Sequence, residues 1–153
     1  MRLILPFVFL LVFAVPAGAQ DRETPYWASL RAEVANMRVG PSENFPIDWV
    51  YKRKGLPVKV VRVMEGWRLV VDQDGAQGWF YAPLLSPERA AVIIGKGLAA
   101  IRAAPAADAA LRWKAEPGVV GKLGDCQQDW CEFDAAGRKG WVAAERLWGD
   151  GEP

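Results

Sequence analysis

The strongest constraint on the fold is a pattern that occurs twice within 153 residues. In each copy a glycine is followed after twelve residues by a tryptophan, and later by a Gly-Trp dipeptide. The first copy has Gly55, Trp67 and Gly78-Trp79, and the second has Gly118, Trp130 and Gly140-Trp141. The copies are offset by 63 residues at the first tryptophan and by 62 at the second, and residues 37–41 and 101–105 align at an offset of 64. Small length differences that fall at turns are typical of a duplicated β-module. We therefore expect two modules of about 60 residues.

The first 19 residues have the composition of a secretory signal peptide. Arg2 supplies a positive charge, residues 3–15 are apolar, and Ala17 and Ala19 suit the two subsites that signal peptidase reads. The apolar run is shorter than the roughly 20 residues needed to span a bilayer. We expect cleavage before Gln20 and a periplasmic or secreted chain without a transmembrane segment. An uncleaved N-terminal anchor is the alternative.

Composition argues against several classes of function. Loss of the signal peptide removes one arginine and leaves 18 basic and 18 acidic side chains, whereas a nucleic-acid-binding protein gains from a basic excess. The sequence contains no histidine, which removes Ser-His-Asp and Cys-His nucleophiles and histidine-based zinc sites. We expect no nucleic-acid partner, no metal, no cofactor and no enzymatic activity.

The pattern along the chain predicts an all-β fold, because short β-branched and aromatic stretches alternate with turn residues and no helical period is sustained. The predicted strands cover residues 49–51, 58–63, 67–71 and 78–81 in the first copy, and 90–94, 119–125, 130–133 and 141–142 in the second. A single 3₁₀ turn is predicted at residues 83–85. The linker of residues 86–89 is short and contains Pro87, so we expect the modules to touch in a fixed orientation.

The first copy contains several short motifs, which are Asn36-Met37-Arg38-Val39-Gly40-Pro41-Ser42, the run from Trp49 to Val58, Gly66-Trp67-Arg68, Asp74-Gly75, Gly78-Trp79 and Leu84-Leu85. Together these motifs resemble the bacterial SH3 domain family, in particular its exported subgroup. The resemblance covers residues 29–86 closely and 90–148 more loosely. The second copy departs from it at Ala103-Ala104, where the first has Val39-Gly40, and at Asp129, which replaces the glycine before the tryptophan.

The resemblance implies two tandem SH3-like β-barrels after the signal peptide, at residues 29–88 and, in degenerate form, 89–149. It also implies that the barrels bind peptides or cell-wall material and perform no chemistry.

The only two cysteines, Cys126 and Cys131, lie across a predicted hairpin turn of residues 127–130. Facing strand positions bring Cβ atoms within disulfide range, and disulfides persist in exported proteins. We expect a disulfide bond. A redox-active pair is the alternative, although the spacing is not Cys-x-x-Cys.

The aromatic residues divide into two groups. The tryptophans that recur at repeat spacing are expected in the core, with each indole N–H bonded to a loop carbonyl; they are Trp67, Trp79, Trp130 and Trp141. We interpret Trp49, Tyr51 and Tyr81 as candidate ligand-binding residues, because the second copy aligns Arg112, Trp113 or Lys114, and Ala143 with them. Barrel packing is the other interpretation of these three.

Next to Tyr51, the basic turn of Lys52, Arg53 and Lys54 could meet an anionic partner such as a carboxylate-bearing peptide or phospholipid head groups. Solubility alone would also explain it.

The sequence as a whole predicts an exported, non-catalytic binding protein. Its partner would be a peptide, peptidoglycan or an envelope protein, and its first module would be the binding unit. A cell-wall hydrolase and a purely structural subunit of an envelope complex are the alternatives.

Overall fold

The computed structural model describes residues 22–153, which form two antiparallel β-sheets of seven strands each. The first module contains β1 (Tyr26–Leu30), β2 (Ala35–Arg38), β3 (Ile47–Tyr51), β4 (Pro57–Met64), β5 (Trp67–Val71), β6 (Gln77–Tyr81) and β7 (Leu85–Ser86). The second contains β8 (Ala90–Ile93), β9 (Ala99–Arg102), β10 (Leu111–Ala115), β11 (Val120–Gln127), β12 (Trp130–Ala135), β13 (Arg138–Ala143) and β14 (Leu147–Trp148). A 3₁₀ turn precedes the last strand of each module, at Ala82–Leu84 and Ala144–Arg146.

The two sheets have the same topology. Their strand orders are β3-β2-β6-β5-β4-β1-β7 and β10-β9-β13-β12-β11-β8-β14, which correspond strand for strand. The predicted all-β fold and the tandem organisation are confirmed. The predicted domain boundaries remain a prediction, and the signal peptide lies outside the described residues. Within residues 22–153 no helix has the length and apolar character needed to cross a bilayer.

Each module encloses its own apolar core, with one phenylalanine fully buried in it: Phe80 in the first and Phe133 in the second. The position of Phe133 corresponds to Val70, three residues after the first repeated tryptophan, and the position of Phe80 corresponds to Val142. Both valines are fully buried too. In the first module the valine lies on β5 and the phenylalanine on β6, whereas in the second the phenylalanine lies on β12 and the valine on β13. The two cores therefore contain the same pair of side chains on exchanged strands, which conserves the core volume.

The repeated Gly-Trp dipeptides direct the glycine, and not the tryptophan, toward the core. A Cβ on Gly78 would lie 2.6 Å from Cγ of Met37, and one on Gly140 would lie 2.5 Å from Cγ2 of Ile101. Only glycine permits this approach of neighbouring strands. Because side chains alternate along a strand, the tryptophan that follows each glycine points to the opposite, outer face.

The expectation that the repeated tryptophans are buried is therefore wrong for Trp67, Trp130 and Trp141, whereas Trp79 is buried. Trp67, Trp130 and Trp141 are partly exposed, and Trp79, although only 8% exposed, belongs to neither core cluster. Their spacing repeats because each occupies the same place on the outer face of its sheet. The indole that donates to a backbone carbonyl across the molecule is that of Trp27, whose Nε1 lies 3.2 Å from the oxygen of Gly151.

The two modules touch, as the short linker predicted. The rings of Trp27 and Trp148 meet edge to face with centroids 4.8 Å apart. The hydroxyl of Ser29 donates to the carbonyl of Glu88 in the linker at 2.9 Å, and a guanidinium nitrogen of Arg53 in the first module donates to the carbonyl of Gly118 in the second. Apolar packing and hydrogen bonds thus join the modules.

The structure pairs Cys126 and Cys131 directly opposite each other on β11 and β12 and joins them in a disulfide, with Cα atoms 4.0 Å apart. The strands extend to Gln127 and resume at Trp130, so the connection between them is shorter than the predicted four-residue turn. Gln128 takes the left-handed backbone conformation, with φ of 53°, that closes this tight hairpin.

Candidate binding site

Exposed large apolar side chains are concentrated in the first module. Among the described residues, that module exposes Val34, Val39, Phe45, Ile47, Trp49, Val50, Met64 and Tyr81, and the second exposes Leu98 and Leu111. Single exposed apolar residues are ordinary, but several on one surface indicate an interaction site. The asymmetry favours the first module as the binding unit.

One group of apolar side chains, which includes the exposed Met64 and Tyr81, lies on the outer side of β4, β5 and β6. We define the aromatic face by its five residues, which are Met64, Leu69, Trp67, Trp79 and Tyr81. Trp67 pairs across the strands with both Met64 and Tyr81, and Leu69 pairs with Trp79. The rings of Trp67 and Tyr81 are 5.5 Å apart between centroids. These cross-strand pairs form one contiguous surface.

A tight turn holds Tyr81 in place at the end of this face. Glu65 takes a left-handed conformation, with φ of 48°, and Gly66 accepts a backbone hydrogen bond from Ala82 at 2.8 Å. A Cβ on Gly66 would lie 3.3 Å from Cε2 of Tyr81, so the ring lies over the glycine. Tyr81 remains 45% exposed, which leaves much of the ring available to a ligand.

The second module has no such aromatic face at the corresponding place. Trp130 pairs with Gln127 and Ala143, where the first module has Met64 and Tyr81, and Trp141 pairs with Glu132 instead of a leucine. A surface depression of about 410 Å³ lies there, and its charged lining residues are Arg112, Lys122, Glu132, Asp134 and Lys139. Five charged side chains thus line this surface of the second module, where the first module has its aromatic face.

The structure places Trp49 elsewhere, on the edge strand β3 opposite Met37. The same register places Trp113 opposite Ile101 in the second module, so Trp49 does have a counterpart and its supposed absence from the second copy is wrong. Bulges interrupt both strand pairs at this point, which obscured the alignment. The two tryptophans differ in what packs on the ring. In the second module the guanidinium carbon of Arg138 lies 4.4 Å from the ring centroid of Trp113.

Arg138 stands two residues before the glycine of the second Gly-Trp, and the first module has Ala76 at that place. Trp49 lacks this cation and is 57% exposed. It therefore presents a large aromatic surface at the sheet edge.

Tyr51 is half-buried and engaged with its own module. Its ring meets Phe80 edge to face at 5.4 Å, and its hydroxyl donates to Oδ2 of Asp72 at 2.6 Å. Burial, and next the hydrogen bond to Asp72, raise the pKa of Tyr51 well above its ordinary value. These contacts match the interpretation of Tyr51 as barrel packing.

The basic turn faces the second module. Arg53 donates to the carbonyl of Gly118, and Lys54 lines a cleft of about 350 Å³ between the modules, together with Arg31, Arg89 and Lys122. Lys52 is exposed. Arg53 thus takes part in the contact between modules, while a role for the turn in binding an anionic partner stays a prediction.

The candidate residues do not converge on a single groove. Tyr81 lies on the outer face, whereas the register of β3 directs Trp49 and Tyr51 to the side of the core. The sequence pattern predicted Trp67 in the core and did not single out Met64 and Leu69. Side chains alternate between the two faces of a strand. A sequence analysis that assigned Gly78 and Phe80 to the core would therefore have placed Trp79 and Tyr81 on the outer face.

Residues 22–153 bring together no group of three or more His, Cys, Asp or Glu side chains that could hold a metal ion.

Comparison with protein families matches the family described as "Bacterial SH3 domain" at residues 31–87 and again at 95–149. Among solved structures, NlpC2 from Trichomonas vaginalis is similar at 12% identity, with a TM-score of 0.38, over 85% of this chain and 50% of that one. NlpC1 from the same organism is similar at 11% identity, with a TM-score of 0.38, over 92% of this chain and 51% of that one. The chain thus spans about half the length of these solved structures. The comparison with curated proteins found no match.

Proposed function

The chain belongs to the bacterial SH3 domain family, and on that premise we propose that it is an exported, non-catalytic binding protein whose first module is the binding unit. Bacterial SH3 domains are binding modules that bind peptidoglycan or proteins. The proposed ligand is accordingly a peptide, peptidoglycan material or an envelope protein.

The observation that carries the proposal is the aromatic face of the first module. Trp67 and Tyr81 are joined there to Met64 and Leu69, and the second module has Gln127, Glu132 and Ala143 at the matching places. Tyrosine and tryptophan are enriched in protein interfaces because they bury a large apolar area and keep one polar atom for hydrogen bonding. The second module folds without an apolar surface at this place. The first module therefore does not require its aromatic face in order to fold.

Export is supported by the amino-terminal sequence and by the disulfide. Residues 1–19 have the charge, apolar length and small residues of a signal peptide. The Cys126–Cys131 bond suits an oxidising compartment. Processing is tested by the intact mass of the secreted protein, which should begin at Gln20; Met1 retained in a membrane fraction would contradict export in this form.

The absence of histidine from the whole sequence supports a non-catalytic role, since His is the commonest general acid and base. The test is a turbidity assay on purified peptidoglycan. We expect no loss of turbidity beyond that of buffer, and a steady loss that scales with protein concentration would assign hydrolysis instead.

Binding is tested with two baits in parallel. The purified chain is sedimented with peptidoglycan sacculi, and separately it is cross-linked to the proteins of an envelope extract. We expect retention by one bait that survives washing and is competed by excess unlabelled chain. Failure to bind either bait would overturn the proposal.

A further inference from the structure

β3 is an edge strand of the first sheet, hydrogen-bonded to β2 on one side. Within the described part of the chain, no backbone hydrogen bond from residues 47–51 reaches a further element. Ile47, Trp49 and Val50 are 46%, 57% and 48% exposed. An exposed apolar strand edge is a template for pairing with another strand, and proteins usually protect it.

The corresponding edge of the second module carries such protection. At an offset of 64 residues, β10 has Arg112 at the place of Asp48 and Lys114 at the place of Val50. Cationic side chains on an edge strand oppose pairing with another chain. Arg138 also covers the ring of Trp113. The corresponding edge strands of the two modules therefore differ, since β10 is protected against pairing with another strand and β3 is not.

The unprotected edge is complementary to itself. When two β3 strands run antiparallel with Val50 opposite Val50, Trp49 faces Tyr51 of the second copy. Asp48 then lies opposite Lys52 of the second copy, the residue that directly follows β3. The two-fold axis repeats both pairs, and opposite charges and aromatic pairs on facing positions stabilise antiparallel strands. Pairing about Trp49 would place Asp48 opposite a valine, which forms no ion pair.

We propose that two copies of this chain form a dimer by antiparallel pairing of β3 with β3, centred on Val50. The two first sheets then become one continuous sheet. The dimer carries two aromatic faces, so a ligand with repeated sites would be held by both. This inference stands on β3 and does not depend on the ligand that the aromatic face binds.

Sedimentation equilibrium of the full chain, over a wide range of concentration, tests the dimer. We expect a reversible monomer–dimer equilibrium. Val50→Lys places two lysines opposite each other and should raise the dissociation constant about tenfold or more. Leu98→Lys is the matched control, because Leu98 is 54% exposed and lies away from β3; it should leave the constant unchanged.

A charge exchange tests the register. Asp48→Lys should weaken the dimer, because the introduced lysine would face Lys52 of the second copy and repel it. Adding Lys52→Asp should restore it, since this register alone places residue 48 opposite residue 52. Circular dichroism of each variant reports whether the monomer is folded, and the restored double variant keeps the test valid if Val50→Lys unfolds.

Three results would overturn the proposal. They are a chain that stays monomeric at the highest concentration, a dimer insensitive to Val50→Lys, and a double variant that does not recover. If the chain is monomeric and its capture of envelope proteins depends on Val50, the edge binds a partner strand and the dimer is wrong.

Discussion

Tyr51 donates a hydrogen bond of 2.6 Å to Oδ2 of Asp72, and the second module replaces both residues with alanine, at Ala115 and Ala135. Asp72 is only 8% exposed, and its Oδ1 also accepts the backbone N–H groups of Asp74 and Ala76. Losing one partner alone would leave a buried polar group unsatisfied. The pair therefore acts as a unit that ties β3 to the β5–β6 hairpin.

The first prediction is that Tyr51 and Asp72 are energetically coupled. Tyr51→Phe should lower the free energy of unfolding by about 1 to 3 kcal/mol, because the carboxylate loses its donor. Asp72→Asn keeps an acceptor for the hairpin amides and serves as the second variant. A double-mutant cycle by denaturant unfolding should give a coupling of about 0.5 kcal/mol or more. Strict additivity would show that the hydrogen bond does not stabilise the fold.

The second prediction concerns alkaline pH. Because the folded chain raises the pKa of Tyr51 above its ordinary value of 10.0, folding favours the protonated phenol. The protonated Tyr51 therefore contributes its full stabilisation of the fold at pH values below 10.0, and this stabilisation is lost as the pH rises above 10.0. Wild type should therefore lose stability faster than Tyr51→Phe above that value. Parallel pH profiles for the two proteins would contradict this.

The third prediction concerns the exchanged core residues. Phe80→Val should leave a cavity and Val70→Phe should overpack the core, each lowering the free energy of unfolding by about 1 to 3 kcal/mol. The double variant reproduces the arrangement of Phe133 and Val142, so its cost should be smaller than the sum. Thermal unfolding monitored by circular dichroism measures all three. A double variant at least as unstable as the sum would show that the two cores are not interchangeable.

The sequence was sufficient to predict the duplication, the 3₁₀ turn before β7, the paired cysteines and eight of the fourteen strands in the described residues, which are β3–β6, β8 and β11–β13. It did not reveal which face of a strand each repeated residue occupies. Trp79 repeats as Trp141 because both lie beside an inward glycine, whereas the core is filled by Phe80 and Val142, whose identities differ. Spacing therefore marked the shared outer positions more clearly than the core.

The alignment of Trp49 failed for a different reason. The offset between copies falls from 64 residues near the first loop to 62 at the last strand, and bulges lie within both β2–β3 and β9–β10. Only the strand register shows that Trp113 is the counterpart of Trp49. The cover by Arg138 depends on a residue on another strand, so no local pattern could predict it.

The fourth prediction concerns the disulfide. Titration of denatured, unreduced protein should find no free thiol. Replacing both cysteines by alanine should lower the free energy of unfolding by about 2 kcal/mol, because the loop closed by the bond is small. The same double variant controls for reduction, since reducing agent should not destabilise it further. Two reactive thiols in the denatured, unreduced protein would contradict the pairing.

The central claim, that the aromatic face of the first module binds the ligand, is tested most directly by the affinity of Tyr81→Ala for whichever bait retains the chain. The substitution gives the first module the residue that the second has at Ala143. We expect binding to weaken about tenfold or more, with a thermal midpoint close to wild type because Tyr81 is 45% exposed. Leu111→Ala, which removes a similarly exposed side chain from the second module, should bind as wild type does. Unchanged affinity for Tyr81→Ala, or an equal loss for Leu111→Ala, would contradict the account.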